Sequence, residues 1–354
     1  MAEWMIQNMS DFTTGAPSPV MEEAKSDSQG SAYGPLVTVL RTFFIALNSL
    51  MAITGNAFSL AVMKSVDTPR FPPSSKLFLC NVILSDLAYG AVSVWYVAPS
   101  ALNYWPYGQF ACQLACVCLI LANFCCVNAA ILITVDRLLA VVYPLHHGIM
   151  IPTKRAIMAV VLATFLSVSE TVATLANGER ISYTNRVVLC TISWDRASPT
   201  NLPRLIVYSS CGLFLPAVVL TVCYTKLYLV ARRHAQLLAK LRRNPELAIA
   251  NHRAVKMCAL ITATFLIAWT PYVIVSFRNY VTREETSPMV EFVTSWVCLC
   301  NSWWDVIIYF FMAREFRKTA HKLVCRPWLL RKSQPHHRQT TPSNRQLRYI
   351  AGNC

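Results

Sequence analysis

The chain carries little charge for its length. Only 14% of its 354 residues are Asp, Glu, Lys or Arg, and 55% are hydrophobic, whereas soluble proteins average about 25% charged residues. The apolar residues are gathered into long blocks rather than spread along the chain. This shortage of charge argues against a soluble multi-domain enzyme and predicts a protein built for an apolar solvent.

Three further features are missing. None of the nine cysteines inside the apolar blocks stands at ligand spacing from a histidine, which disfavours a metal site. No nucleophile and base converge in a recognisable motif, so an enzyme is not predicted. No charged segment is followed by an apolar segment and a small-residue cleavage site, so the first apolar block is expected to be an uncleaved insertion signal.

Seven apolar segments are long enough to cross a membrane, since a spanning helix needs about 20 mostly apolar residues. They cover roughly 36–63, 77–101, 110–134, 156–177, 205–230, 255–278 and 289–312. The sequence therefore predicts an all-α membrane protein, a bundle of seven transmembrane helices. A transporter or channel would favour a paired repeat, broken helices or a continuous charged path, and the sequence contains none of these.

The basic residues indicate the orientation. With the N-terminus outside, only eight of the 32 Lys and Arg residues fall on outer segments, and the inner loops and tail hold only Asp67, Glu246 and Glu315 as acids. The positive-inside rule then predicts an extracellular N-terminus, as in a multi-pass protein of the plasma membrane. The inner charge suits anionic lipid or an acidic partner surface better than nucleic acid.

Four regions follow from this pattern. Residues 1–34 are predicted to be an extracellular disordered tail with a glycosylation sequon at Asn8, although such tripeptides are common by chance. Residues 35–312 are the seven-helix domain. Residues 313–325 are an amphipathic interfacial helix that ends at Cys325, a candidate palmitoylation site. Residues 326–354 are predicted to be a basic, disordered cytoplasmic tail.

Ionisable residues stand inside the predicted spans, where a charge costs at least about 2.5 kcal/mol. Among them are the acids Asp86, Asp136, Glu170 and Asp305. Such residues are either hydrogen-bonding partners between helices or a polar core that takes up a cation or rearranges during switching.

The residues in these spans resemble the rhodopsin-like (class A) G-protein-coupled receptors. The matching motifs follow in chain order, each on its own span or loop. They are Gly55-Asn56, Ser85-Asp86-Leu87-Ala88, Trp105-x-x-Gly108 before Cys112, Asp136-Arg137-Leu138, Pro216 with Tyr224, Phe265-x-x-x-Trp269-x-Pro271-Tyr272, and Asn301 to Tyr309. The resemblance implies a receptor that binds an extracellular ligand and activates heterotrimeric G proteins by movement of helix 6.

The resemblance also implies roles for single residues. Cys112 and Cys190 are expected to form a disulfide on the oxidising outer side, the alternative being two free thiols. The other implied sets are the G-protein switch of Asp136, Arg137, Tyr224 and Tyr309, the toggle of Phe265, Trp269 and Pro271, and a sodium-pocket-like group of Asp86, Asn301 and Asp305.

The chain departs from the family pattern in its switching residues. Leu138 replaces an aromatic residue, Cys126 stands where a hydroxyl is usual, and Val306 replaces a proline of helix 7. The inner end of helix 6, 249–253, has no acid to hold Arg137, which predicts a weak inactive-state lock and raised basal activity. The alternative is a receptor-like protein with weak or no G-protein coupling, such as a scavenger or a heterodimer partner.

The expected ligand pocket is largely aromatic and apolar. Leu119 stands where amine receptors have an aspartate, and 289–312 contains no lysine for an opsin Schiff base. The predicted pocket residues are Tyr96, Leu119, Asn123, Tyr208, Trp269, Tyr272, Trp296 and Leu299. Arginines of the outer segments, Arg180, Arg186, Arg196, Arg204, Arg278 and Arg283, suit a carboxylate, so the expected ligand is a peptide or a small acidic or lipid molecule.

Overall fold

The computed structural model describes residues 33–65, 72–143, 145–175, 181–192, 201–240, 245–282, 284–312 and 316–324. These residues form helices and one short β-hairpin. The helices are α1 (Pro35–Ser65), α2 (Pro73–Leu102), α3 (Gly108–Val142), α4 (Thr153–Leu175), α5 (Asn201–Ser209, π-helical Ser210–Phe214 and Leu215–Lys240), α6 (Pro245–Thr282), α7 (Pro288–Met312) and α8 (Phe316–Val324). The hairpin is β1 (Ile181–Thr184) and β2 (Leu189–Ile192).

The predicted seven-helix bundle is confirmed. Six helices are long and apolar enough to span a membrane singly, and α7 with α8 forms a pair bent by 95° that supplies the seventh span. The helix predicted after the last span is present, with 313–315 and 325 outside the described residues. Helices α3 and α6 have 35 and 38 residues and extend past the predicted apolar segments, because a helix can continue into the aqueous layer beyond the hydrocarbon core.

Small and polar side chains join the helices. A methyl group built at Gly90 of α2 would lie 2.9 Å from Ala52 Cβ of α1, so the two backbones approach closely there. Asn56 of α1 donates its side-chain amide to the carbonyl oxygen of Ser302 in α7, at 3.0 Å. These are the contacts that hold helices together in lipid, where burial of apolar surface between helices gains little.

The surface of the bundle is apolar and its interior contains polar groups. Large apolar side chains on several helices are exposed, which suits contact with lipid chains; examples are Phe43, Phe165, Leu215 and Ile274. The carboxylates of Asp86, Asp136 and Asp305 are buried. Helix rotation therefore places the intramembrane acids inside the bundle, as expected for charges in a span.

Candidate functional site

The β-hairpin covers the outer end of the bundle and is anchored on α3. Cys190 in β2 is joined to Cys112 of α3 by a disulfide, with the Cα atoms 5.4 Å apart. Gln109, one turn before Cys112, donates to the carbonyl oxygen of Ile181 at 2.6 Å. The structure thus brings together the two cysteines that the sequence resemblance paired.

The turn of the hairpin is attached to α7. Trp296 donates its indole N–H to the carbonyl oxygen of Val187 at 2.7 Å. Arg186 Nε lies 2.8 Å from Glu291 Oε2, and Arg186 Nη1 lies 3.0 Å from Glu285 Oε2. The hydrogen bond to Glu291 raises the pKa of Arg186, so this guanidinium stays charged and paired with α7.

A buried arginine of α1 supports the same turn. Arg41 donates to the side-chain oxygen of Asn185 at 2.8 Å and to the carbonyl oxygen of Ser100 at 3.2 Å, and its guanidinium lies 4.7 Å from the centre of the Tyr33 ring. Arg41 is one of the eight basic residues that the predicted topology assigned to the outer segments. Its position inside the first predicted span was the signal that it is buried and structural.

Below the hairpin lies an upper cavity of about 520 Å³ between α2, α3, α5, α6 and α7. Six of the eight predicted pocket residues line it, namely Leu119, Asn123, Tyr208, Trp269, Tyr272 and Leu299. Tyr96 and Trp296 do not belong to its lining. They are buried next to each other, with ring centres 6.3 Å apart, beneath the hairpin turn. Their role in this structure is to support the hairpin that covers the cavity.

Several residues of the upper cavity were missed by the sequence analysis. They include Tyr89, Cys116, Thr191, Ser295 and Cys298. Cys116 lies one turn before Leu119 and Ser295 one turn before Leu299, so helical periodicity could have found these two. Leu189, Cys190 and Thr191 of β2 form part of the lining, and their position depends on the folded hairpin.

The upper cavity has no charged side chain among its described lining residues. Of the arginines expected to meet an acidic ligand, Arg186 is paired with two glutamates. Arg278 lies 3.7 Å from Glu284 and donates to the Thr286 hydroxyl at 2.9 Å. Arg180, Arg196 and Arg283, and the side chain of Arg204, lie outside the described residues. The two described arginines therefore have acidic partners within the chain.

Trp269 separates the upper cavity from a lower one of about 640 Å³ and lines both. Its ring centre lies 6.1 Å from that of Phe265 and 6.2 Å from that of Tyr272. Pro271 stands inside α6 two residues later, where it cannot donate a backbone hydrogen bond. The predicted toggle residues are therefore brought together at the junction of the two cavities.

The lower cavity contains the predicted sodium-pocket-like group. Asp86, Asn301 and Asp305 all line it, together with Cys126, whose thiol donates to Asp86 Oδ1 at 3.1 Å. One oxygen each of Asp86, Asn301 and Asp305 is buried without a hydrogen-bond partner among the described residues. Buried oxygens of this kind suit a hard cation such as sodium. The sulfur of Cys126 is a softer ligand than these oxygens.

The inner end of α3 holds the predicted switch. The Asp136 carboxylate is buried and lies 3.4 Å from Arg137 Nη2. It also accepts a hydrogen bond from Ser75 of α2 and lies 2.9 Å from His147 Nε2, which belongs to a one-turn helix, His147–Met150, between α3 and α4. Neither Ser75 nor His147 was predicted, because their contacts with Asp136 depend on how α2 and the loop after α3 pack against α3.

Two tyrosines complete the switch region. The Tyr224 hydroxyl of α5 and the Thr134 hydroxyl of α3 are 2.8 Å apart, which places Tyr224 one turn above Arg137. Tyr309 of α7 is buried, and its ring centre lies 6.4 Å from that of Phe316 in α8. The predicted switch residues thus lie at the inner ends of α3, α5 and α7.

Comparison with known proteins assigns the family. Residues 55–309 match the family model of the 7 transmembrane receptor (rhodopsin family). The chain belongs to this family. The receptor is 26% identical to the human uracil nucleotide/cysteinyl leukotriene receptor over 309 residues, 82% of this chain and 78% of that relative. It is 23% identical to a Gq-coupled rhodopsin of Mizuhopecten yessoensis over 298 residues, 81% of this chain but 59% of that longer relative.

A solved structure agrees with the fold. The receptor superposes on the crystal structure of squid rhodopsin with a TM-score of 0.71 at 19% sequence identity, covering 86% of this chain and 89% of that one. This likeness shows the shared bundle architecture. Family membership makes the receptor a multi-pass membrane protein and implies a G protein and an extracellular ligand as its partners.

The receptor's departures from the family pattern have structural counterparts. Val306 packs on α1, since a methyl group built at Gly55 would lie 3.3 Å from Val306 Cγ2. Helix α7 is continuous from Pro288 to Met312, and Val306 keeps the backbone N–H that a proline lacks. Leu138 packs together with Tyr224 and Leu227 of α5.

The remaining predicted residues serve elsewhere or lie outside the described part of the receptor. Asn128 of α3 donates to Glu170 of α4 at 2.9 Å and to Ser167 at 3.0 Å. Glu170 is therefore a hydrogen-bonding partner between helices. Two predicted modification sites lie outside the described residues, namely Asn8 and Cys325. The same holds for residues 1–32 of the predicted N-terminal tail and for the whole predicted tail 326–354.

Proposed function

We propose that this receptor binds an extracellular ligand in the upper cavity and activates heterotrimeric G proteins by movement of α6. The observation that carries the proposal is the position of Trp269, which lines both cavities two residues before Pro271 in α6. A ligand that displaces this indole changes the packing of α6 against the lower cavity. A proline in the helix interior supplies the weak point at which α6 can bend.

The signal then has a physical route to the inner face. The lower cavity extends from Trp269 past Asp86 and Asp305 to Tyr224, whose hydroxyl bonds Thr134 one turn before Arg137. Repacking of these side chains changes the contacts of Arg137 with Asp136. In the family that the receptor belongs to, the arginine released in this way meets the G protein.

Raised basal activity is part of the proposal. Asp136 lies 3.4 Å from Arg137, but Ser75 and His147 bond the same carboxylate. A carboxylate shared among three partners holds each of them less firmly than a dedicated ion pair does. The stretch 249–253 offers no second acid to Arg137, so the inactive state has a weak lock.

A sodium ion is proposed for the lower cavity. Asp86, Asn301 and Asp305 each offer a buried oxygen without a partner among the described residues, and all three line the lower cavity. Two buried carboxylates are stable side by side only if a cation or a proton offsets their repulsion. A bound cation would supply that positive charge and favour the inactive packing of α2 against α7.

The N-terminus is proposed to be extracellular in the plasma membrane. Two observations support this orientation. The disulfide of Cys112 and Cys190 lies at the end of the bundle where α1 begins, and disulfides form in oxidising compartments. The excess of Lys and Arg on the opposite side follows the positive-inside rule.

The deciding experiment measures basal second-messenger output in cells for each class of G protein. We expect output above that of empty cells, and its loss in Arg137→Ala at equal surface expression. The competing function is a receptor-like protein that couples weakly or not at all, and Val306 in place of the helix 7 proline is the feature that favours it. Surface-expressed receptor without output under any G protein, with or without ligand, would support that alternative.

A further inference from the structure

The upper cavity has an unsatisfied hydrogen-bond donor at its inner end. Asn123 is 6% exposed, and its Nδ2 has no hydrogen-bond partner among the described residues. The buried Tyr89 hydroxyl also lacks one. Both residues line the upper and the lower cavity, next to Trp269. A buried amide donor without an acceptor is costly, so this point of the cavity is built to receive an acceptor atom.

The walls of the upper cavity exclude a charged ligand. Its lining consists of apolar, aromatic, hydroxyl and thiol side chains with one amide, and no described lining residue carries a charge. Among the described residues, a carboxylate buried here would have no cationic partner, because Arg186 and Arg278 are already paired with glutamates at the rim. An ammonium group would meet Leu119 where an acid would be required.

We propose that the ligand is an uncharged, mostly apolar small molecule whose carbonyl or hydroxyl oxygen accepts a hydrogen bond from Asn123. This inference rests on the proposed function, since it names the ligand class of the same cavity. It replaces the peptide or acid expected from the outer arginines. The oxygen would lie beside Trp269, so the polar end of the ligand is the end that acts on the toggle residue.

A matched set of ring compounds tests the ligand class. Cyclododecanone, cyclododecane, cyclododecanecarboxylate and cyclododecylammonium share one skeleton and differ in the group offered to Asn123. Each is titrated into purified full-length receptor, and the melting temperature is followed. The ketone is expected to half-saturate at roughly tenfold lower concentration than the hydrocarbon, as one additional hydrogen bond provides, and the two ions are expected to bind more weakly than the ketone.

Variants of Asn123 test the residue. Asn123→Leu keeps the volume and removes the donor, so the advantage of the ketone over the hydrocarbon should disappear. Asn123→Asp places an acid in the cavity and should shift the preference to the ammonium compound. Gln113→Leu is the control, because Gln113 is an exposed amide of α3 outside the cavity lining, and it should leave the order of binding unchanged.

Three results would overturn the inference. They are a carboxylate or ammonium compound that stabilises the wild type as well as the ketone does, a ketone without advantage over the hydrocarbon, and a ketone advantage that survives in Asn123→Leu. If a variant does not fold, the order in which the four compounds bind the wild-type receptor is sufficient to test the inference. The melting assay contains no G protein, so its result does not depend on basal output in cells. A negative melting result together with basal output would count against the ligand class only. A positive melting result without basal output would count against the proposed coupling.

Discussion

His147 Nε2 lies 2.9 Å from Asp136 Oδ1, and both side chains are buried at the inner face of the bundle. The one-turn helix His147–Met150 returns the chain to the end of α3. Ser75 of α2 bonds the other carboxylate oxygen of Asp136, and Arg137 lies near that same oxygen. The acid of the switch is therefore shared between α2, α3 and the loop, and its hold on Arg137 depends on the two other partners.

Removing the histidine should strengthen the inactive state. In His147→Phe the ring volume is kept but the hydrogen bond to Asp136 is lost, which leaves the carboxylate more available to Arg137. We expect basal second-messenger output to fall, on the order of fivefold for a change of about 1 kcal/mol in the balance of states. The neighbouring His146 is exposed, and His146→Phe should have no effect. Unchanged or higher output in His147→Phe at equal surface expression would contradict the shared-acid interpretation.

The valine of α7 should limit coupling. Val306→Pro removes an N–H inside a helix, a change that costs about 3 kcal/mol in a regular helix, and it introduces the kink of the family pattern near Tyr309. We expect a lower melting temperature and a higher maximal output per receptor at the surface. Val306→Ala keeps the N–H and loses only side-chain packing on Gly55, so its output per receptor should equal that of the wild type. Equal output from the proline and alanine variants would show that the kink is not limiting.

Sodium should stabilise the purified receptor. With free ion at ten times its dissociation constant, the gain is about 1.4 kcal/mol, or roughly a few degrees in melting temperature. Asp86→Asn and Asp305→Asn should each remove the difference between sodium and an equal concentration of choline. Cys126→Ser supplies a hard oxygen in place of the thiol that bonds Asp86 and should increase sodium affinity. A sodium effect that persists in both asparagine variants would place the ion elsewhere.

The stability of the hairpin should depend more on Glu291 than on Glu285. Arg186 contacts both Glu291, whose side chain is 13% exposed, and Glu285, which is 64% exposed. Because exposed ion pairs contribute little, we expect Glu291→Gln to increase hydrogen exchange of the backbone amides in 181–192 and Glu285→Gln to change it hardly at all. Equal exchange in both variants would mean that the disulfide and the Trp296 hydrogen bond are sufficient to hold the hairpin.

The sequence by itself determined the architecture of this receptor. The length and hydropathy of the apolar segments set the number of spans, since a bilayer accepts only segments of a certain length and polarity. Motif spacing located Asp136, Trp269 and Asp305 on their helices, because a regular helix converts spacing along the chain into position along its axis. These properties are local, so they can be predicted without knowledge of how the helices pack.

Only the tertiary structure decided which side chains meet. Helix rotation and the path of the loops brought His147 to Asp136, turned Arg41 into a support for the hairpin, and placed Trp296 beneath that hairpin rather than in the ligand cavity. Among the described residues, it also left Asn123 as a donor without an acceptor in a cavity that no charged side chain lines. Such contacts join residues far apart in the chain, and they depend on packing between elements, which the periodicity of a single helix does not specify.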